Sequence, residues 1–350
     1  MNDFAIVVPV GQYDPRLEIA LKSLEVQDVQ VEVALMDASN DPRTVALANR
    51  FDGILSKRFH QPDRGQADAI GTGWDEVSGR YLGWLNADDA LMPGALEKVL
   101  SVFESDAAPD VVTGQSTIVD EKGRTTGFHR TAQPASRLLL RGNTLSQPSC
   151  FVKREAIESI GGIGRTLHYT MDWDLWMRLY QAGLSFSHLD QPLSCVLMGE
   201  DTKTAQFTES RRREIWHLVR RNHSRLTAAK TMTGFMLEHL KAGSASAAKI
   251  VTSLFPAADD SICLPEDETL EVPLLNMSPA RPQQIIIQWR SCAPDTNIEY
   301  SLAGAPVDGT PQSADQARID VPADLKDAHR IDLGIRCLSG QAKLDWIEIV

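Results

Sequence analysis

The sequence predicts an α/β protein with a mainly parallel sheet flanked by helices, followed by a helical segment and a small C-terminal β-sandwich. Three observations carry this. Over the first 190 residues, short apolar runs of strand length alternate with amphipathic helical stretches, the pattern of strand–helix–strand units that cover a parallel sheet on both faces. Residues 208–254 are helical in pattern and basic. Beyond Pro256, turns rich in Asp, Pro and Ser separate runs of period two, as half-buried strands require.

Taken in order, residues 5–10 and 31–36 are strand-like, and Leu17, Ala20, Leu21 and Leu24 recur between them at helical spacing. In Asn40-Asp41-Pro42 a helix starts, with Asp41 as N-cap and Pro42 at the first helical position. Ala67, Ile70, Trp74 and Val77 mark a third helix. A strand over 81–85, a turn Asn86-Ala87-Asp88-Asp89 and a helix opened by Pro93 follow, then a strand over 110–119. Leu175, Trp176 and Leu179 form a helical stripe that Gly183 stops. Near the C-terminus, Ile331, Leu333, Ile335 and Cys337 alternate with Asp332, Gly334 and Arg336. These patterns divide the chain into an α/β domain over 1–204, a basic linking or packing segment over 205–255 and a β-sandwich over 256–350.

Of the 350 residues, 43% are hydrophobic and 23% charged, ordinary globular composition. The net charge of −12 is distributed as −9, +6 and −9 over the three segments. One short basic block in an acidic chain argues against a general nucleic-acid binder, whose footprint is a broad positive face. No apolar run approaches the roughly 18 residues of a membrane-spanning helix. Five widely spaced cysteines make neither a disulfide framework nor a zinc site, so the expected location is the cytoplasm.

Four segments carry residues suited to chemistry. The strand over 81–85 delivers Asn86, Asp88 and Asp89 at its carboxyl end, where open α/β sheets bind ligands. Adjacent carboxylates there suit a divalent cation completed by phosphate oxygens and water, or simply a solvated acidic turn. Asp37 ends the strand over 31–36 in the same way, within a turn that Asx chemistry alone could explain. Arg64 and Asp68 sit where a helix begins, suited to a base, ribose or phosphate, or to an ion pair at the helix start. Asp172 and Asp174 lie in or before the first turn of a later helix, Asp172 between Tyr169 and Trp173 and Asp174 between Trp173 and Trp176. The helix dipole favours acids there, and a desolvated carboxylate could also act as a general base.

Together these segments resemble glycosyltransferase family 2, inverting enzymes of the Rossmann-like GT-A fold. The resemblance runs over residues 4–204 and leaves the C-terminal region unassigned. FAIVVPVGQYDP is similar to the family's opening strand and loop, and VALMDASNDPRT to its nucleotide-contacting turn. PDRGQADAIGTGWDEVSGRYLGWLNADDALMPGAL resembles its central block with the Asp-x-Asp-type metal motif. QPSCFVKREAIESIGG and LHYTMDWDLWMRLYQAG resemble its acceptor-side segment and catalytic carboxylate.

The resemblance implies that Pro9, Val10, Asp37, Arg64, Asp68, Asn86 and Asp88 bind the sugar donor. Asp89, with Asp88, would hold Mn²⁺ or Mg²⁺. Asp172 would be the base, because the family's base directly follows an acidic or apolar residue, here Met171; Asp174 is the second choice. The implied reaction is one in-line displacement from a nucleoside-diphosphate sugar to an acceptor hydroxyl, on a glycan or lipid-linked acceptor of bacterial surface polysaccharide or glycoconjugate synthesis.

Several positions depart from the family pattern. The first place of the Asp-x-Asp motif is Ala87, and Gln61 stands where an acid is common. Leu197 and Gly199 occupy places where relatives often have Arg and His, with Glu200, Asp201 and Lys203 as the nearby substitutes. These departures support a rival reading, a catalytically silent sugar-binding or interaction protein on the same fold. A nucleotidyltransferase would want a Gly-rich, basic loop after the first strand, which residues 10–14 do not supply.

The basic block over 208–254 reads either as a peripheral membrane-surface helix or, preferably, as a helix packed between acidic neighbours. The eight histidines show no metal-ligand spacing. In the sandwich, Trp289 and Trp346 are expected in the core rather than on a carbohydrate platform; self-association of the chain through this domain is the further expectation.

Overall fold

The computed structural model describes residues 2–129, 137–198, 208–243, 262–263, 269–275, 282–292, 296–313, 315–326, 328, 330–339 and 342–350. In chain order the elements up to residue 197 are β1 (Phe4–Val10), α1 (Leu17–Glu25), β2 (Val31–Asp37), α2 (Pro42–Arg50), β3 (Leu55–His60), α3 (Gln66–Glu76), β4 (Tyr81–Trp84), β5 (Ala90–Leu91), α4 (Ala95–Phe103), β6 (Val111–Val119), β7 (Thr125–His129), β8 (Cys150–Lys153), α5 (Arg154–Ser159), α6 (Met171–Gln181) and β9 (Phe186–Leu197). Helices α7 (Glu209–Asn222) and α8 (Arg225–Gly243) follow. The last strands are β10 (Ile262–Cys263), β11 (Thr269–Leu275), β12 (Gln284–Cys292), β13 (Asn297–Leu302), β14 (Ala305–Val307), β15 (Thr310–Ser313), β16 (Gln316–Asp320), β17 (Arg330–Ser339) and β18 (Ala342–Ile349).

The chain forms two compact units that are not contiguous in sequence. The first comprises Met1–Ser116, Arg130–Ser194 and Glu200–Ala257; the second comprises Thr117–His129, Cys195–Gly199 and Ala258–Val350.

In the first unit the sheet runs β6-β8-β4-β1-β2-β3. Pairs β1/β2, β2/β3 and β1/β4 are parallel, and β8 is antiparallel to both β4 and β6. All seven residues of β1 are buried, as a central strand covered on both faces must be. Helix α3 lies close on it, since a Cβ at Gly73 would stand 2.7 Å from a Val7 methyl. Helix α2 begins as expected: Asp41 accepts a hydrogen bond from the Arg43 N–H at 2.9 Å, and Pro42 stands at its first position. Helix α4 begins at Ala95 rather than Pro93, after Gly94 in the left-handed conformation at φ +71°.

The helical pattern after residue 208 breaks into two helices at His223, the C-cap of α7. Helix α7 buries Ile215, Leu218 and Val219 in the same core as Trp74, Trp84 and Trp176. Its apolar face is therefore taken up by packing.

The second unit is a sandwich. One sheet has β7, β18, β12, β16 and β15 as successive neighbours; the other runs β11-β17-β13-β14. Ile331, Leu333, Ile335 and Cys337 of β17 are buried against Ile285, Ile287 and Trp289 of β12. Trp289 is thus a core residue, while Trp346 is half-buried beneath the Arg124 guanidinium, 4.7 Å above its ring.

Candidate functional site

The carboxyl ends of the parallel strands define one side of the site. Val10, Asp37 and His60 are successive register partners at the ends of β1, β2 and β3, and Pro9 precedes Val10 in the same buried strand. Asp37 is buried, yet its carboxylate is fully engaged. It accepts from the Ser39 N–H at 2.9 Å and the Ser39 hydroxyl at 2.5 Å, and its other oxygen is 2.8 Å from His60 Nδ1. The backbone carbonyl of Asp37 also accepts from the Gln61 N–H at 3.0 Å.

Asp37 and Asp68 line one small, open cleft, together with Phe59, Gln61, Pro62 and Thr72. Arg64 makes a two-pronged contact with Asp68, Nη2 to Oδ1 at 2.8 Å and Nε to Oδ2 at 3.1 Å. That guanidinium holds the Asp68 carboxyl below the usual carboxylate range. The pair is the i,i+4 ion pair that the bland reading of this segment anticipates. Gly65 between them has φ +119° and ψ 169°, and the His168 ring packs where its side chain would be.

The turn after β4 is the centre of a hydrogen-bond chain. The Asp89 N–H closes the turn on the Asn86 carbonyl at 3.1 Å. Asn86 Nδ2 donates to Asp89 Oδ2 at 2.9 Å, while Asn86 Oδ1 accepts from Gln66 at the start of α3 at 2.6 Å. Gln147 joins from another segment: its Nε2 donates to the Trp84 carbonyl at 2.8 Å, and its Oε1 accepts from Asn86 at 3.3 Å. Asp89 is buried and Asp88 half-buried. As a donor set, adjacent carboxylates suit an oxygen-preferring cation that completes its shell with phosphate and water. Among the described residues no group of three or more His, Cys, Asp and Glu side chains surrounds one point, so a closed protein cage is not what these residues build. Gly199, Glu200, Asp201 and Lys203 lie outside the described residues.

The two acids at the head of α6 have different surroundings. Asp172 accepts from Asn143 Nδ2 at 2.7 Å and from the Trp173 N–H at 2.7 Å. Burial pushes its carboxyl above the usual range; the two hydrogen bonds and the charge of Arg211 oppose that shift. The buried Cys150 thiol is raised as well, by burial first and by the charge of Asp172 second. Asp174 is buried and accepts from two guanidinium groups, Arg178 Nε at 2.7 Å and Arg221 Nη2 at 2.8 Å.

Two observations bring the α6 acids to the β4 turn. The indoles of Trp84 and Trp176 stack with centroids 5.7 Å apart. Asn143, on Asp172, and Gln147, on Asn86, belong to one short segment, and four residue steps reach at most about 14 Å. His60, Gln66, Asn143 and Gln147 were not singled out by sequence reasoning. Only His60 carried a usable signal, since it ends a strand beside the one that Asp37 ends.

The family model described as Glycosyl transferase family 2 matches residues 5–161. An uncharacterized glycosyltransferase of Rickettsia typhi is 24% identical over 216 residues, which are 57% of this chain and 66% of its own. One of Rickettsia felis is 25% identical over 186 residues, 50% of this chain and 31% of its own. A PGL/p-HBAD biosynthesis glycosyltransferase of Mycobacterium tuberculosis is 28% identical over 182 residues, 51% of this chain and 69% of its own. The chain thus spans less than two thirds of the length of the first two relatives. Among solved structures, S. aureus TarS 1–349 in complex with UDP-GlcNAc aligns with TM-score 0.53 and 15% identity, over 68% of this chain and 72% of that one. The fold is shared.

Proposed function

We propose, from the match of residues 5–161 to the family model of glycosyltransferase family 2, that the chain transfers a sugar from a nucleoside-diphosphate sugar to an acceptor hydroxyl with inversion at the anomeric carbon. The observation that carries this reading is the hydrogen-bonded cluster of Gln66, Asn86, Asp89 and Gln147, joined through the backbone of segment 143–147 to Asn143, which holds Asp172. It ties the acidic turn to the desolvated carboxylate and, because Gln66 and Asp68 share the first turn of α3, to the cleft that Asp68 lines.

In this mechanism Asp37 and Asp68 bind base and ribose from the cleft they share, with Arg64 holding Asp68 in place. Pro9 and Val10, at the carboxyl end of β1 beside Asp37, are assigned to the donor side as well. Asp89, with Asp88, would hold Mn²⁺ or Mg²⁺, and a cation held there would offset negative charge on the departing diphosphate. Asp172 takes the proton of the acceptor hydroxyl as its oxygen forms the bond to the anomeric carbon and the bond to the diphosphate breaks. A carboxyl raised above its ordinary range is the stronger base, which suits Asp172. Asp174 accepts two arginines instead, which favours Asp172 over this second choice.

The acceptor class is a glycan or lipid-linked carrier of bacterial surface glycoconjugates, in keeping with the mycobacterial relative's name. Among the described residues no helix is long and apolar enough to cross a membrane. Thermal shift with UDP-, GDP- and dTDP-sugars, with and without Mn²⁺, tests the reading, because binding stabilises by mass action. A metal-dependent rise with one base is the expected result; no rise with any of them rejects it.

A further inference from the structure

Helix α7 lies beyond the residues that the family model matches, yet its side chains engage the approach to both α6 acids. Glu214 accepts three backbone N–H groups in a row: His168 at 2.9 Å through Oε1, and Tyr169 at 2.8 Å and Thr170 at 3.1 Å through Oε2. The Thr170 hydroxyl adds a contact at 3.3 Å. Thr170 is the N-cap of α6 and makes no side-chain capping bond to its own helix. The turn that sets where α6 begins is therefore fastened by a carboxylate 44 to 46 residues further along the chain.

We propose that Glu214 is a positioning residue for the glycosyl transfer, fixing the turn 168–170 and through it the orientation of Asp172. The inference rests on Asp172 being the base. Asp172 follows Thr170 by two residues and is gripped from the other side by Asn143, so its carboxylate sits between two anchors of different origin. Without Glu214 the three N–H groups lose a charged acceptor, and the first turn of α6 gains freedom where the proton transfer needs alignment. Attachment of α7 does not depend on this contact. Ile215, Leu218 and Val219 are buried in the core, and Arg221 separately pairs with Asp174. Glu214 variants are accordingly expected to fold.

The test uses the full chain, with Glu214→Ala, Glu214→Gln and, as a control on the same helix, Glu209→Ala. Amide hydrogen exchange at His168, Tyr169 and Thr170 is expected to accelerate at least tenfold in Glu214→Ala, with the sheet amides unchanged. Transfer kcat is expected to fall at least tenfold, with the sugar-donor KM and the Kd for nucleoside diphosphate within twofold of wild type. Glu214→Gln, which keeps one carbonyl acceptor, falls between, and Glu209→Ala behaves as wild type. An active Glu214→Ala variant at the native rate overturns the proposal. So does a variant that loses nucleotide binding in parallel with transfer, which is plain structural damage. A wild-type chain that transfers sugar from no nucleotide donor rejects the reaction and the positioning role together, whereas failure of the variant alone to change kcat rejects only the latter.

Discussion

His60 Nδ1 stands 2.8 Å from Asp37 Oδ2, and the two are register partners at the carboxyl ends of adjacent parallel strands. The pairing fixes a buried carboxylate that also receives both Ser39 donors. In His60→Ala the Asp37 oxygen loses its ring partner, but His60 is partly solvent-exposed, so water replaces much of the contact. A net hydrogen bond of about 1 kcal/mol corresponds to about fivefold weaker nucleotide binding by titration calorimetry. Asp37→Ala removes the acceptor for three donors and should cost considerably more. Equal affinities in wild type and both variants would remove this pair from the nucleotide site.

Asp172→Asn keeps the shape of the side chain and an acceptor for Asn143, but it cannot take a proton. Transfer is expected to fall by about 10² to 10⁴, the usual contribution of a general base, with nucleotide affinity intact. Steady-state kinetics with calorimetry separates the two. Transfer at the native rate would move the base elsewhere, and Asp174→Asn would then be the next variant to assay.

The raised Asp172 carboxyl has consequences for both rate and stability. If Asp172 is the base, it works only when ionised, so the acid limb of kcat should lie above the ordinary Asp range and vanish in Asp172→Asn. Burial raises it, and the Trp173 N–H, Asn143 and the Arg211 charge oppose that rise. For stability the sign is the reverse of a salt-bridged acid. Folding favours the protonated form, so the favourable contribution is present below the unfolded pKa and is lost as pH rises through the higher folded one. Asp172→Asn should therefore raise Tm at neutral pH and leave it unchanged in acid. A lower Tm at pH 7 would contradict the burial argument.

Asp89→Asn and chelation test the cation side. If Asp89 and Asp88 hold a divalent ion with phosphate oxygens completing its shell, EDTA should abolish transfer and added Mn²⁺ or Mg²⁺ should restore it. Asp89→Asn should raise the metal concentration for half-activity at least tenfold, while nucleotide binding without metal stays the same. Full activity in EDTA would place the leaving-group charge on the chain's own cations instead.

The strand ends were legible in the sequence because a parallel sheet delivers the end of each apolar run to one edge: Asp37 at the end of β2 and the Asn86–Asp89 turn after β4 needed only periodicity. Asp41 and Pro42 likewise announced α2 through local capping chemistry. The partners were not legible. Gln147 reaches Asn86 across 61 residues, and Arg221 reaches Asp174 across 47; no local pattern encodes such contacts. The same limit hid the membership of Thr117–His129 in the second unit, since a hairpin reads alike whichever sheet it joins.

Gly65 gives the last prediction. Its φ of +119° and ψ of 169° fall in a region that glycine alone occupies without strain. A Cβ there would also meet the His168 ring at 3.2 Å. Gly65→Ala must either distort the backbone between Arg64 and α3 or push His168 aside. The strain is of order 1–3 kcal/mol, which for a chain of this size lowers Tm by several degrees. The local effect reaches the site, because the Gly65 N–H donates to Asp63 at 2.8 Å and the Arg64–Asp68 pair brackets the same turn. Nucleotide affinity should therefore fall together with Tm. Gly53→Ala, at an exposed position where a Cβ meets nothing within 4 Å, serves as the control and should change neither. Should Gly65→Ala melt with the wild type and bind nucleotide as well, the strained turn would not shape the cleft.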